Sequence, residues 1–390
     1  MKIDKRNPRH WAYLIVAALH AAVGLGLRAV RPYHGRQLVL LYGHKLSGNL
    51  LALYRQLENS SESDLDFAFL TLDPAYAREL RSVGYRSVSA LSPRFMTCLW
   101  RTGAIVTDHG LHSMSFLVRL SSIRFVDVWH GIPFKGWDAD DFRLQHGYDE
   151  VWVSAPLLAD IYVEHFGFRS DQVFAIGYGR TDCLIAPAAT RKETAAELGL
   201  ADSGQKYVLF APTWQHELVG RSEFPFGTKA DIFFDALATV LRKQRAQCLV
   251  RSHINSRLDF DPSGDVFVMM PQHEFPDTEQ ILSVADVLIS DWSSIAFDYL
   301  VLERPTIFLD VPPPFGKDFT LGPEYRFGAV VKDLSGLCTV LNNYLTDPDA
   351  YLLHHGERVS AVRRKVYDGF DDGLASQRYA ERLQSLLETG

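Results

Sequence analysis

Residues 127–137 read DVWHGIPFKGW: His130 closes the β-like run RFVDV, Gly131 and Pro133 break that run, and Lys135 follows. Imidazole titrates near neutrality, so a histidine placed there suits removal of a proton from an attacking hydroxyl. Polar groups crowd other strand ends in the same way: Asp108-His109-Gly110, Gly177-Tyr178-Gly179-Arg180, Pro212-Thr213-Trp214, Arg251-Ser252-His253 and Asp291-Trp292-Ser293-Ser294. Each alone has a plain use as a core histidine, a helix cap or a turn. Together they point to one site.

The segment ADVLISDWSSIAFDYLVLERPTIFLD, residues 285–310, is the most specific. It predicts a strand running into Asp291, an amphipathic helix opened by Ser293 and Ser294, and a second strand completing a βαβ unit. Free N–H groups at a helix start, two hydroxyls and the positive dipole end can hold a phosphate. N-capping by serine is the simpler use. Arg251 offers a planar fork of donors to phosphate oxygens, and Lys135 a point charge. His253 can add charge or move a proton. Arg180 and Asp182, in GYGRTD, read equally as a ligand contact and as an internally paired turn. The acids Asp138, Asp140 and Asp141 fit a solvated loop better than a metal site. A Mg²⁺ ion is compatible with phosphate chemistry, but no ligand motif marks a place for it, and no resident cofactor is expected. P-loop, HExxH and GxSxG patterns are absent, which sets aside those chemistries.

The elements that must position these groups alternate strand and helix. RQLVLLYG, LDFAFLTL, GAIVTDHG, RFVDVWHG, DEVWVSA and QVFAIGYG form a first set of strands. KYVLFAPTW, QCLVRSH, DVFVMM, ADVLISD and RPTIFLDV form a second, after an Ala- and Pro-rich linker at 185–204. This is a parallel α/β pattern, twice over. It predicts two Rossmann-like domains in the glycosyltransferase-B architecture, one at 36–190 on the acceptor side and one at 191–390 binding the donor nucleotide and carrying the C-terminal helices. In such sheets ligands gather at the carboxyl ends of the strands. With a net charge of −7, overall charge gives no reason to expect nucleic acid as a partner. Four dispersed cysteines without CxxC spacing read as reduced packing residues. Residues 1–35 stand apart. Trp11–Leu27 has no formal charge, is flanked by basic residues, and as a helix would be about 25 Å long, short of a ~30 Å hydrocarbon core. That suits a helix associating with the anionic inner leaflet.

The series WHGIPFK, GYGRTD, FAPTW, VRSH and ISDWSSIAFDYLVLERPTIF resembles, in order and spacing, the CDP-glycerol glycerophosphotransferase family of teichoic acid primer and polymer synthesis. The resemblance covers roughly residues 38–335. It implies a monotopic enzyme at the cytoplasmic face of the membrane, with a CDP-polyol donor such as CDP-glycerol and a lipid-linked acceptor for teichoic acid or capsule-like polymer. By the same resemblance His130 is the general base, with His253 and Asp182 catalytic beside it. Arg180, Arg251, Thr213, Asp291, Ser293 and Ser294 would bind donor phosphate, and Asn49 and Lys135 would lie on the acceptor side. Trp292 stands where the family usually has tyrosine. Two other readings remain at this point: a glycosyltransferase using a sugar nucleotide, and a non-catalytic membrane-bound scaffold.

Overall fold

The computed structural model describes residues 7–60, 65–200, 204–213, 224–251 and 265–388. The chain divides into two units by contact. The first holds a seven-stranded sheet: β1 (Leu38–Tyr42), β2 (Asp66–Thr71), β3 (Ser87–Ser89), β4 (Thr102–Thr107), β5 (Arg124–Asp127), β6 (Glu150–Val153) and β7 (Val173–Ala175). The second holds six strands: β8 (Lys206–Phe210), β9 (Ala246–Val250), β10 (Phe267–Met269), β11 (Val287–Ser290), β12 (Thr306–Leu309) and β13 (Ala329–Val331). All described strand pairs within the two sheets are parallel.

The orders are β3-β2-β1-β4-β5-β6-β7 and β10-β9-β8-β11-β12-β13. Both sheets therefore reverse direction of growth once, between β1 and β4 and between β8 and β11. Crossover helices cover both faces, which is why the central strands are buried at every position and read as continuous apolar runs. A ligand crevice forms where the strand order reverses. Topology alone thus singles out the residues after β1 and β4 in one unit, and after β8 and β11 in the other.

The borders differ from the expected 190/191 division. The first unit is Met1–His130, Asp138–Asp182 and Leu374–Gly390; the second is Gly131–Trp137 and Cys183–Gly373. Side-chain chemistry explains both exchanges. The C-terminal helix Ala375–Glu388 buries Tyr379 and Leu383 in the first unit's core. Its Arg382 grips buried Glu150 with one guanidinium edge, Nη2 donating to Oε1 at 2.6 Å and Nε to Oε2 at 3.0 Å. Conversely, Phe134 stacks on Phe297 at 4.5 Å, and Thr320 N donates to Phe134 O at 3.0 Å, drawing the strip 131–137 into the second unit.

The N-terminal helix is longer than the apolar run, Pro8–Val30, and is not a separate element. Ala17, Ala21 and Gly24 bury one face against the helix Arg94–Arg101, where a Cβ on Gly24 would lie 2.8 Å from Met96 O. Arg28 fastens its end, donating to Thr102 O at 2.6 Å and to Ser122 Oγ at 2.9 Å. The opposite face stays exposed at Trp11, Ile15, Leu19, Val23 and Leu27.

Candidate functional site

The first unit's site grows from the end of β5. Asp127 is buried; its Oδ1 accepts from Trp129 N at 2.8 Å and its Oδ2 from Thr107 Oγ1 at 2.9 Å. Burial pushes its pKa up to about 7, against the pull of those two hydrogen bonds. The turn it holds is strained: Trp129 has φ 45°, the left-handed region that a bulky side chain occupies only when its surroundings impose it. Asn49, also buried, completes the clamp. Its Nδ2 donates to Val128 O at 2.9 Å and Trp129 O at 3.0 Å, and its Oδ1 accepts from Arg180 N at 3.0 Å. Arg180 then returns, Nη1 donating to His130 O at 2.6 Å.

This scaffold fixes the imidazole of His130. Its Nδ1 lies 3.0 Å from Asp108 O. A carbonyl only accepts, so the proton of the neutral ring sits on Nδ1 and the lone pair on Nε2. The ring lies flat on His109, with centroids 4.2 Å apart and planes within 5°. His109 Nδ1 is 2.9 Å from Asp108 Oδ1. Burial alone would lower the His109 pKa, but the Asp108 carboxylate outweighs it and the net direction is upward. His44 extends the cluster, its ring 5.6 Å from His109 and 5.7 Å from His112. Burial, then the charge of His109, lowers the His44 pKa to about 4 and also lowers that of His112. Gly43 allows this approach of β1 to β4: a Cβ there would meet Asp108 Oδ1 at 2.9 Å.

The second unit repeats the logic with other groups. Asp291, buried after β11, accepts at Oδ1 from Thr213 N at 2.5 Å and Trp292 N at 2.6 Å, joining the ends of β8 and β11. Ser293 and Ser294 follow, half-buried, and the Ser294 side chain makes no capping bond. The helix they precede, Ile295–Leu300, has six residues, all buried. It is therefore a core segment under Phe134 and not the amphipathic helix expected from the sequence. Trp292 is fixed by Nε1 donating to Val311 O at 2.8 Å and by the Arg326 guanidinium 3.5 Å over its ring.

Several expected site residues are engaged elsewhere. Both carboxylate oxygens of Asp182 accept from the start of the C-terminal helix: Ala375 N at 3.1 Å, Ser376 N at 2.7 Å and Ser376 Oγ at 2.6 Å. Its role is revised from chemistry to anchoring. Arg251 is buried and pins the loop after β10, donating to Phe275 O at 2.9 Å and Thr278 Oγ1 at 2.8 Å. That makes it a positioning residue. Asn49 likewise holds backbone, and Arg180 belongs to the first unit, beside His130. Lys135 is exposed in the second unit, its Nζ 4.0 Å over the Trp137 ring. His253 lies outside the described residues. Asp138 and Asp141 form a capping box on a short helix, and Asp140 pairs with Arg143. No group of three or more His, Cys, Asp or Glu side chains among the described residues is arranged to hold a metal ion.

Two doubly wound sheets with polar groups at both switch points define an α/β protein of the glycosyltransferase-B class. The chain belongs to the CDP-Glycerol:Poly(glycerophosphate) glycerophosphotransferase family, whose pattern matches residues 30–385. Among similar proteins, the teichoic acid ribitol-phosphate polymerase TarL of Staphylococcus aureus is 29% identical over 70% of this chain. The chain spans only 50% of that relative's length. A teichoic acid glycerol-phosphate transferase of the same organism is 23% identical over 88% of this chain and 90% of its own. In three dimensions the chain resembles the wall teichoic acid polymerase TagF, in a form soaked with CDPG. The TM-score is 0.74 at 19% identity, covering 96% of this chain and 98% of that one, a likeness of fold.

Proposed function

We propose that the chain transfers a polyol phosphate, glycerol phosphate first among them, from a CDP-activated donor to a hydroxyl of a lipid-linked saccharide or polymer, releasing CMP. The observation that carries this is the His130 imidazole, held with its lone pair on Nε2 by the carbonyl of Asp108. Family membership supplies the donor class. Nε2 takes the acceptor hydroxyl proton as its oxygen attacks the phosphorus next to the polyol. The new phosphodiester bond forms as the bond to the CMP oxygen breaks, and CMP leaves as the anion. Ser293, Ser294 and the backbone after Asp291 would receive the donor diphosphate, and His253 would offset its charge. Such transfer depends mainly on positioning and electrostatics, so neither a resident cofactor nor a metal is assigned.

The place of action would be the cytoplasmic face of the membrane. Supporting this, the apolar residues Trp11, Ile15, Leu19, Val23 and Leu27 recur every fourth residue on the exposed face of the N-terminal helix, with Arg9 and Arg31 at its ends. The helix is long and apolar enough to cross a bilayer, but its docked face favours lying in the interface.

The test is release of CMP from CDP-glycerol and CDP-ribitol, with UDP- and CMP-sugars as controls. His130→Gln should lower turnover by at least about a hundredfold while donor affinity holds. Release of UDP, or unchanged turnover in the variant, would overturn the reading.

A further inference from the structure

A groove of about 720 Å³, lined by none of the clustered histidines, opens on the first unit where β3, the helix Pro74–Ser82 and the start of the helix Arg94–Arg101 meet. It is lined by Arg78, Arg81, Arg86 and Arg94, with Ser89 and Ser92 among them. Four arginines on one groove run against the net charge of −7. Two are held in place: Arg81 Nη1 donates to Ser87 O at 3.0 Å, and Arg86 lies 4.9 Å over the Phe67 ring. Asp66 is 3.7 Å from Arg86 but is shared with Arg101, which it meets at 2.8 Å, so one carboxylate faces two cations. The side chains of Arg78 and Arg94 make no hydrogen bond or ion pair among the described residues. Guanidinium forks without protein partners, beside hydroxyls, are suited to phosphate oxygens.

Position narrows the ligand. The helix Arg94–Arg101 that forms one wall is the same helix on which the N-terminal helix docks, through Gly24 against Met96 and Leu99. A phosphate bound here would thus lie one helix away from the exposed apolar stripe. We infer that the groove holds the phosphate groups by which a membrane-borne acceptor is joined to its lipid. This rests on the polyol-phosphate transfer proposed above, to which it adds an acceptor subsite remote from the reacting hydroxyl.

The test uses the full-length protein and vesicles, with no donor and no turnover. Phosphatidylcholine vesicles carrying farnesyl diphosphate are compared in sedimentation with vesicles carrying phosphatidylglycerol at matched surface potential. Wild type should bind the diphosphate vesicles about tenfold more tightly, as loss or gain of a few charge-assisted contacts implies. The double variant R78Q/R94Q, which breaks no bond within the described protein, should lose that preference and keep its binding to phosphatidylglycerol. Equal binding of wild type to both vesicles would show attraction to bulk charge only and overturn the inference, as would a preference that survives in the variant. Because no transfer is involved, failure of CMP release would sink the proposed activity without moving this result.

Discussion

Aspartate in place of Asn49 changes one atom of a buried side chain and removes two donors at once. The carbonyls of Val128 and Trp129 would then face an oxygen at the positions where Nδ2 now donates, at 2.9 and 3.0 Å, while the bond from Arg180 N survives. Two lost hydrogen bonds cost about 2 kcal/mol, and a buried carboxylate opposed by carbonyl oxygens adds about 1–3 kcal/mol. A loss of about 3–5 kcal/mol is a large share of a domain's stability of about 5–15 kcal/mol. Alanine at 49 removes all three bonds without adding charge, so about 3 kcal/mol is expected. Urea unfolding gives the stability, and hydrogen exchange at residues 127–130 shows whether the turn opens. Both variants should release CMP slowly, because the turn carrying His130 is no longer held. If Asn49→Ala cost less than about 0.5 kcal/mol and raised only the acceptor KM, Asn49 would be an acceptor contact and the clamp argument would be wrong.

Asp127 predicts a pH dependence. Its pKa is raised in the folded chain from 3.8 to about 7, so the native form keeps a proton that the unfolded chain has released; stability should fall as pH rises through that window. The slope is about 1.4 kcal/mol per pH unit well below the folded pKa and halves at it, giving about 2 kcal/mol between pH 5 and 7. Asp127→Asn should remove that part of the fall in urea unfolding at the two pH values, and an unchanged difference would count against burial as the cause. Asp182→Ala should release the start of the C-terminal helix at a cost of about 2 kcal/mol, seen as faster hydrogen exchange at 375–379, with turnover reduced only a few-fold. A collapse of kcat with that helix still protected would return Asp182 to the chemistry.

Alternation of apolar runs with helical stretches revealed eleven of the thirteen strands, because buried parallel strands must be apolar throughout. Of the four three-residue strands, β7 and β10 lie within longer apolar runs, whereas β3, which was missed, sets a single valine between two serines, and β13, also missed, is the short stretch Ala329–Val331. The strand-end rule drew attention to His130, which the structure places after β5, and to Asp291 and the paired serines, which it places after β11. What the chain could not show is which partner each polar group takes. Asp182 binds residues 193 and 194 positions away, and Arg251 answers a loop 24 to 27 positions on. Both have the residue type of a ligand group and are engaged by the protein itself. His109 was noticed at the end of β4 but given no role, and His44 was within reach: the rule that drew attention to the end of β5 applies equally to β1. Their stacking depends on sheet order, which periodicity does not encode.

Each unit draws on separated stretches of chain, and this bears on the order in which a ribosome can complete them. Gly131–Trp137 has already been made when Cys183–Gly373 emerges, so the second unit can close as soon as its own last strand and helices are out. The first unit, although most of it is made earlier, waits for Leu374–Gly390 to cover Trp152 and to bring Arg382 to Glu150. Until then an acid and an indole on β6 of the histidine-bearing sheet stand open to solvent or to a chaperone. A chain stopped short of residue 374 would keep the material of its second unit and lose the helix that covers the first, the unit that carries His130.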